Sequence, residues 1–274
     1  MTAGLIVPSL KRCPGSLATS VCDPRLEIPR GTMTGQYSVN KFGRTINADS
    51  GVRTDVWDAA AQPVWLSPTA ARIHAIVSTD DNDGKTGSPN ATGARTIRIY
   101  GLQTWDSAET SEDKTLTGTD SVNTANAYVI IHRMKVLTSG ASGPNIGLIT
   151  ATAAGDATVT AVITASAGQT LMAVYGVPST QTAYLTQFYS AVERDSPQGA
   201  DVELQLLWTP DVASQPKVFI TKHTWPNGEA DGLHSHAYNP YNKFTGPGIL
   251  KIAGTSDADD THIDAGFDMI LVDN

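Results

Sequence analysis

Three of the chain's six histidines, His223, His234 and His236, fall within 14 residues of one another, and His234-Ser-His236 sets two imidazoles on one face of an extended strand. That spacing suits metal ligation. It suits a contact surface equally well when aromatic side chains accompany it. Trp225, Tyr238 and Tyr241 do so here, within the turn-rich stretches Trp225-Pro-Asn-Gly-Glu229 and Asn239-Pro-Tyr-Asn242. Trp225, His234, His236, Tyr238 and Tyr241 are therefore read as an interface or receptor-contact loop, with metal binding and ordinary packing as the alternatives. Neither a metal nor a cofactor is expected.

Other chemistry-bearing patterns are weaker. Asp80-Asp-Asn-Asp-Gly84 resembles part of a calcium loop. With Gly84 at the sixth loop position, however, Thr79 falls at the first and Asn90 at the twelfth, where acidic ligands belong. A solvated turn between strands is the plainer reading, and Asp257-Ala-Asp-Asp-Thr261 is a second such turn. Gly84-Lys85-Thr86 ends like a phosphate-binding loop but lacks the glycine five positions earlier. No GxSxG occurs, and Glu109, Glu112 and Asp113 read as solvated acids of a turn-rich connector, so no catalytic residue is assigned. Cys13 and Cys22, the only cysteines, fit either a small disulfide loop or two free thiols.

The elements that must position these residues are strands. From about Asp55 onward, short runs of Val, Ile, Thr and Tyr alternate with Gly, Asn, Asp and Ser clusters. In Arg95-Thr-Ile-Arg-Ile-Tyr100, Ile97 and Ile99 share one face while Thr96, Arg98 and Tyr100 share the other. Arg72–Ser78, Asp113–Leu116, Ala127–Leu137, Gly147–Ala153, Ala157–Ala165, Gln169–Val177, Ala183–Val192, Asp201–Trp208, Lys217–Thr224 and Ile263–Val272 read as further strands. A turn or two of helix is expected only over Asp55–Gln62, ahead of Pro63. The pattern predicts an all-β chain: a β-sandwich or jelly-roll-like body over residues 56–274, with two lobes divided near 140–145.

Residues 1–55 differ. They carry seven basic side chains (Lys11, Arg12, Arg25, Arg30, Lys41, Arg44 and Arg53) against four acidic ones, for +3, which leaves −11 on the rest of a chain whose net charge is −8. Pro8, Pro14, Pro24 and Pro29 punctuate the segment. It is read as an extended basic arm that gains affinity by lying on a partner. The acidic total argues against a nucleic-acid binder, and no apolar run approaches the length of a membrane span. Neither is a signal peptide expected, because the basic pair Lys11-Arg12 follows the short apolar stretch Gly4–Pro8.

A resemblance adds to this reading. The succession Gly93-Ala-Arg-Thr-Ile-Arg-Ile-Tyr-Gly-Leu102, Thr115-Leu-Thr-Gly118, Tyr128–Val136, Pro144-Asn-Ile-Gly147, Gly168-Gln-Thr-Leu-Met172 and Val177-Pro178, closing on Phe267–Asn274, resembles a family of tailed-phage virion proteins common in aquatic phages. The likeness covers about residues 36–274 and brings no catalytic residues with it. It implies a non-enzymatic virion structural protein at the particle surface, made in the host cytoplasm. The first expectation is a capsid decoration or cement protein, or a head-fibre base, held on the major capsid protein by the seven arm cations and associating with itself, with a trimer preferred. A tail fibre, adaptor or receptor-binding protein is the alternative. A secreted carbohydrate-active or calcium-dependent adhesion domain is the rival from outside the virion.

Overall fold

The computed structural model describes residues 23–59, 61–84, 91–194, 199–228 and 232–274. In chain order the elements are α1 (Pro24–Glu27), β1 (Gln36–Ala48), β2 (Arg53–Asp55), β3 (His74–Ser78), β4 (Ala94–Leu102), β5 (Thr110–Thr115), β6 (Val122–Asn123), β7 (Ile130–Ser139) and β8 (Ile149–Ala153). They continue with β9 (Val159–Ile163), β10 (Val174–Val177), β11 (Gln181–Arg194), β12 (Asp201–Thr209), β13 (Ile220–Gly228), β14 (His234–Thr245), β15 (Gly248–Ser256) and β16 (Thr261–Asp273). The chain is all-β. Among the described residues its strands form four antiparallel sheets rather than the two of a jelly roll.

Two of these sheets, β1-β16-β11-β14 and β10-β15-β12-β13 with β2 added beside β15, close on one core that includes Leu185, Phe188, Phe267, Leu204, Leu206 and Ile252. The other two, β6-β3-β8-β9 and β5-β4-β7, close on a second core that includes Ile76, Ile97, Ile99, Ile130 and Ile149. Alternation explains both: Ile97 and Ile99 are fully buried while Arg98, between them, forms an exposed pair with Asp113 across to β5.

The division into lobes lies elsewhere than near 140–145. Strands β3–β9 form a lobe inserted into a host lobe made of β1, β2 and β10–β16, and the chain crosses between them at residues 56–65 and 171–174. The two crossings run side by side. Ala173 donates to the carbonyl of Val56 and Asp58 to that of Leu171, at 2.8 and 3.0 Å. At Gly43 of β1, a Cβ would come within 2.5 Å of Ala173 N and Val56 O, so glycine is what lets the strand pass this seam. Residues 140–145 instead join β7 to β8 within the inserted lobe, where Asn145 holds Gly147 and Thr164 through its amide.

The expected arm is shorter than 1–55. Residues 36–48 pair along nearly their whole length with β16, and residues 53–55 pair with β15, so both belong to the body. Proline punctuation stops at Pro29, which leaves the alternating run from Gln36 free to join a sheet. Nor are the described residues of Asp55–Gln62 helical: Asp55 ends β2, and Trp57 makes a lone bridge to Met172. The only helix among the described residues is the single turn α1, started by the Asp23 side chain accepting from Arg25 N.

Candidate functional site

The expected contact loop is a strand-built rim. Trp225 and His223 lie on β13, His234, His236 and Tyr238 on β14; these strands are neighbouring edges of the two host sheets. Phe188 of β11 sits at the centre. Its ring stacks on Trp225 with centroids 3.6 Å apart, and His223, His236, His234 and Tyr238 surround it at 5.2, 5.3, 5.8 and 5.9 Å. The structure thus brings together four of the five residues singled out, together with His223. Trp225, at 4% exposure, is a core residue whose indole donates to Ser190 Oγ, and cannot be a contact residue.

Tyr241 stands apart from the ring cluster, on a bulge in which Tyr238–Tyr241 face the single residue Thr186, and it is half exposed. Among the described residues, no group of three or more His, Cys, Asp or Glu is arranged to hold a metal ion. Burial lowers the His223 pKa, and the neighbouring His236 and His234 lower it further.

The acidic turn at residues 80–84 does not form a calcium loop. Fully buried Asp83 accepts from Ser78 Oγ, Ala94 N, Ile146 N and Gly147 N at 2.7–2.9 Å. Asp80 accepts from Asn82, and Asp81 from Thr119. Each carboxylate is turned to protein donors, with no common focus left for a cation.

A polar cluster the sequence reading missed lies between the lobes. Lys41, at 2% exposure on β1, donates to the carbonyl of His132 on β7. His132 Nε2 lies 2.5 Å from Glu109 Oε2, and Tyr175 on β10 donates to the same oxygen at 3.4 Å while its ring stacks on the imidazole at 4.4 Å. Burial pushes Lys41 well below its ordinary value, aided by the nearby charge of Arg133. Burial also lowers His132, which is assigned as the neutral Nε2–H tautomer; Nδ1 is then the bare acceptor, and it has no partner. For Glu109, burial acts upward, but His132, Lys41 and Arg133 together carry it below the usual carboxylate range. Glu109 thus lies in the connector ahead of β5 and keeps an exposed edge, as expected of a connector acid, but its Oε2 is turned to His132 and Tyr175. A cavity of about 170 Å³ adjoins the cluster, whose groups bond mainly to one another and tie the host lobe to the inserted one.

The predicted arm cations divide accordingly. Lys41 is buried in this cluster and is not free to touch a capsid, whereas Arg44 is paired with Asp58 at 3.0 Å and stays partly exposed. Arg53 is exposed on β2, and Arg25 and Arg30 are exposed ahead of β1. Lys11, Arg12, Cys13 and Cys22 lie outside the described residues.

No family model matches the chain, and no curated protein matches it. Among solved structures, the 2.6 Å structure of infectious bursal virus derived T=1 particles is similar over 87% of this chain and 68% of that one, at 8% identity. Its TM-score of 0.13 carries no argument about fold or function.

Proposed function

We propose that the chain is a non-enzymatic structural protein of a phage virion, a capsid decoration or cement protein or the base of a head fibre. It binds the major capsid protein through the basic segment ahead of β1, with the two-lobed body projecting outward. One observation supports this most: of residues 23–35 only Ile28 is buried, so the segment is nearly independent of both cores. Residues 1–35 hold Lys11, Arg12, Arg25 and Arg30 against Asp23 and Glu27, a net +2. A basic segment with little of its own surface buried can bind by ordering on a partner's surface.

Deleting residues 1–35 tests the proposal. The truncated protein is expected to keep its melting temperature within a few degrees and to lose binding to empty heads in a co-sedimentation assay. Undiminished binding overturns it. The second reading, a tail fibre, adaptor or receptor-binding protein, is favoured by Tyr241, half exposed on the β14 bulge. Gold-labelled antibody against residues 56–274 distinguishes the two by marking heads or tails. Native mass spectrometry tests the trimer.

A further inference from the structure

A cleft of about 490 Å³ opens on the outer face of sheet β1-β16-β11-β14, beneath residues 25–29. Its floor is a single rung of the sheet. Asn40 on β1 and Gln187 on β11 both register with Asp268 on β16. The two amides donate to the two oxygens of the one carboxylate, Asn40 Nδ2 to Oδ1 at 2.6 Å and Gln187 Nε2 to Oδ2 at 2.7 Å. Ile28 forms one wall; Tyr238 and Tyr241, carried on the β14 bulge, form another.

The rung is pre-set. Asn40 Nδ2 also donates to the Tyr189 hydroxyl at 3.0 Å, and Tyr189 lies against Gly266, where a Cβ would come within 2.5 Å of its ring. Fixed in this way, the rung still has hydrogen-bonding capacity. Asn40 Oδ1, Gln187 Oε1 and the second Gln187 N–H have no partner among the described residues, and each Asp268 oxygen keeps a lone pair. The cleft therefore offers adjacent donors and acceptors on a rigid floor, with aromatic and apolar groups at its sides, in a volume typical of small-molecule sites.

We infer that this cleft binds a neutral saccharide unit. A sugar ring presents hydroxyls that donate and accept side by side, matching the amide–carboxylate–amide rung, and a C–H face that packs on a tyrosine ring. Other ligand classes fit less well. An anion meets Asp268, while Arg25 at the rim is 3.5 Å from Asp23 and already paired with it. A cation meets a carboxylate whose two oxygens both hold amide protons.

Calorimetric titration of the full-length protein with maltose, cellobiose, lactose and N,N′-diacetylchitobiose, each to about 10 mM, tests the inference. At least one disaccharide is expected to bind with a millimolar or tighter Kd. Gln187→Ala and Tyr241→Ala are each expected to weaken it tenfold or more, whereas His262→Ala, on the same sheet outside the cleft, leaves it unchanged. Tyr241 is exposed, so its replacement reports on binding without threatening the fold. Failure of all four probes to bind, or binding that neither substitution weakens, overturns the inference. Residues 1–35 are present throughout, so the result is independent of whether that segment binds capsid.

Discussion

In the inserted lobe the buried Asp83 carboxylate is enclosed by four donors from three chain segments, whereas in the host lobe three imidazoles face one another around Phe188 at an open edge. The inserted core is dominated by aliphatic side chains, while the host core sets Phe188, Trp208, Trp225, Phe244 and Phe267 among its aliphatics. A polar group satisfied on every side fixes a loop and does nothing else. Groups left at a rim stay available to protons, ligands and partners. The comparison places the structural load in the inserted lobe and the surface chemistry in the host.

The strongest way to break this comparison is Asp83→Ala. It strands the amides of Ala94, Ile146 and Gly147 and is expected to lower unfolding free energy by about 5 kcal/mol, measured by urea denaturation. Next comes the seam between the lobes, where Lys251 and Asp55 form a buried pair at 2.5 Å and Asp55 also accepts from Trp65 N. Lys251→Met alone leaves a buried carboxylate uncompensated and is expected to cost about 3–5 kcal/mol. The double variant Asp55→Leu/Lys251→Met is expected to recover much of that loss.

Acid titration sharpens the contrast further. Burial lowers His74, in the inserted lobe, to about 4. Because the unfolded chain takes up this proton near pH 6.5, the native state binds fewer protons between those values. Stability is then full above pH 6.5 and falls as pH drops toward 4, by about 3 kcal/mol for this residue. His132 and His223 are also lowered by burial and act in the same direction. Denaturation midpoints at pH 7.5 and 4.5 check this, and His74→Phe is expected to flatten the difference. The smallest effect belongs to Arg98→Ala. Although Arg98 meets Asp113 through two bonds of 2.7 and 2.9 Å, the pair is exposed, and no measurable change in the melting temperature is expected.

Much of the fold was legible where one face is buried and the other wet. Ile97 and Ile99 announce β4 by alternation alone, and β3, β8, β11 and β12 were similarly readable. Strand β15 was not, because Gly248–Ser256 is buried at nearly every position and offers no alternation to detect. Strand β14 was hidden by Asn239-Pro240, a turn signal that here marks a bulge within a strand. The histidine rim was legible because three of its members are close in sequence. The Lys41–His132–Glu109 cluster and the Asn40–Asp268–Gln187 rung were not, since each unites strands that only tertiary structure brings together.

The side-by-side crossings between the lobes also bear on the order in which a newly made chain can assemble. Every strand of the inserted lobe finds its partners within residues 74–163, so its sheets can pair while synthesis of the remainder continues, although Met172, Val174 and Ile249 join its core only later. Strand β1, made earlier, pairs among the described residues only with β16, Gln36 meeting Val272, and must wait unpaired until β16 has emerged. The host lobe, which carries the rim, the cleft and the root of the basic segment, therefore closes after the sheets of the inserted lobe have paired, and these surfaces come into being only once β16 is in place.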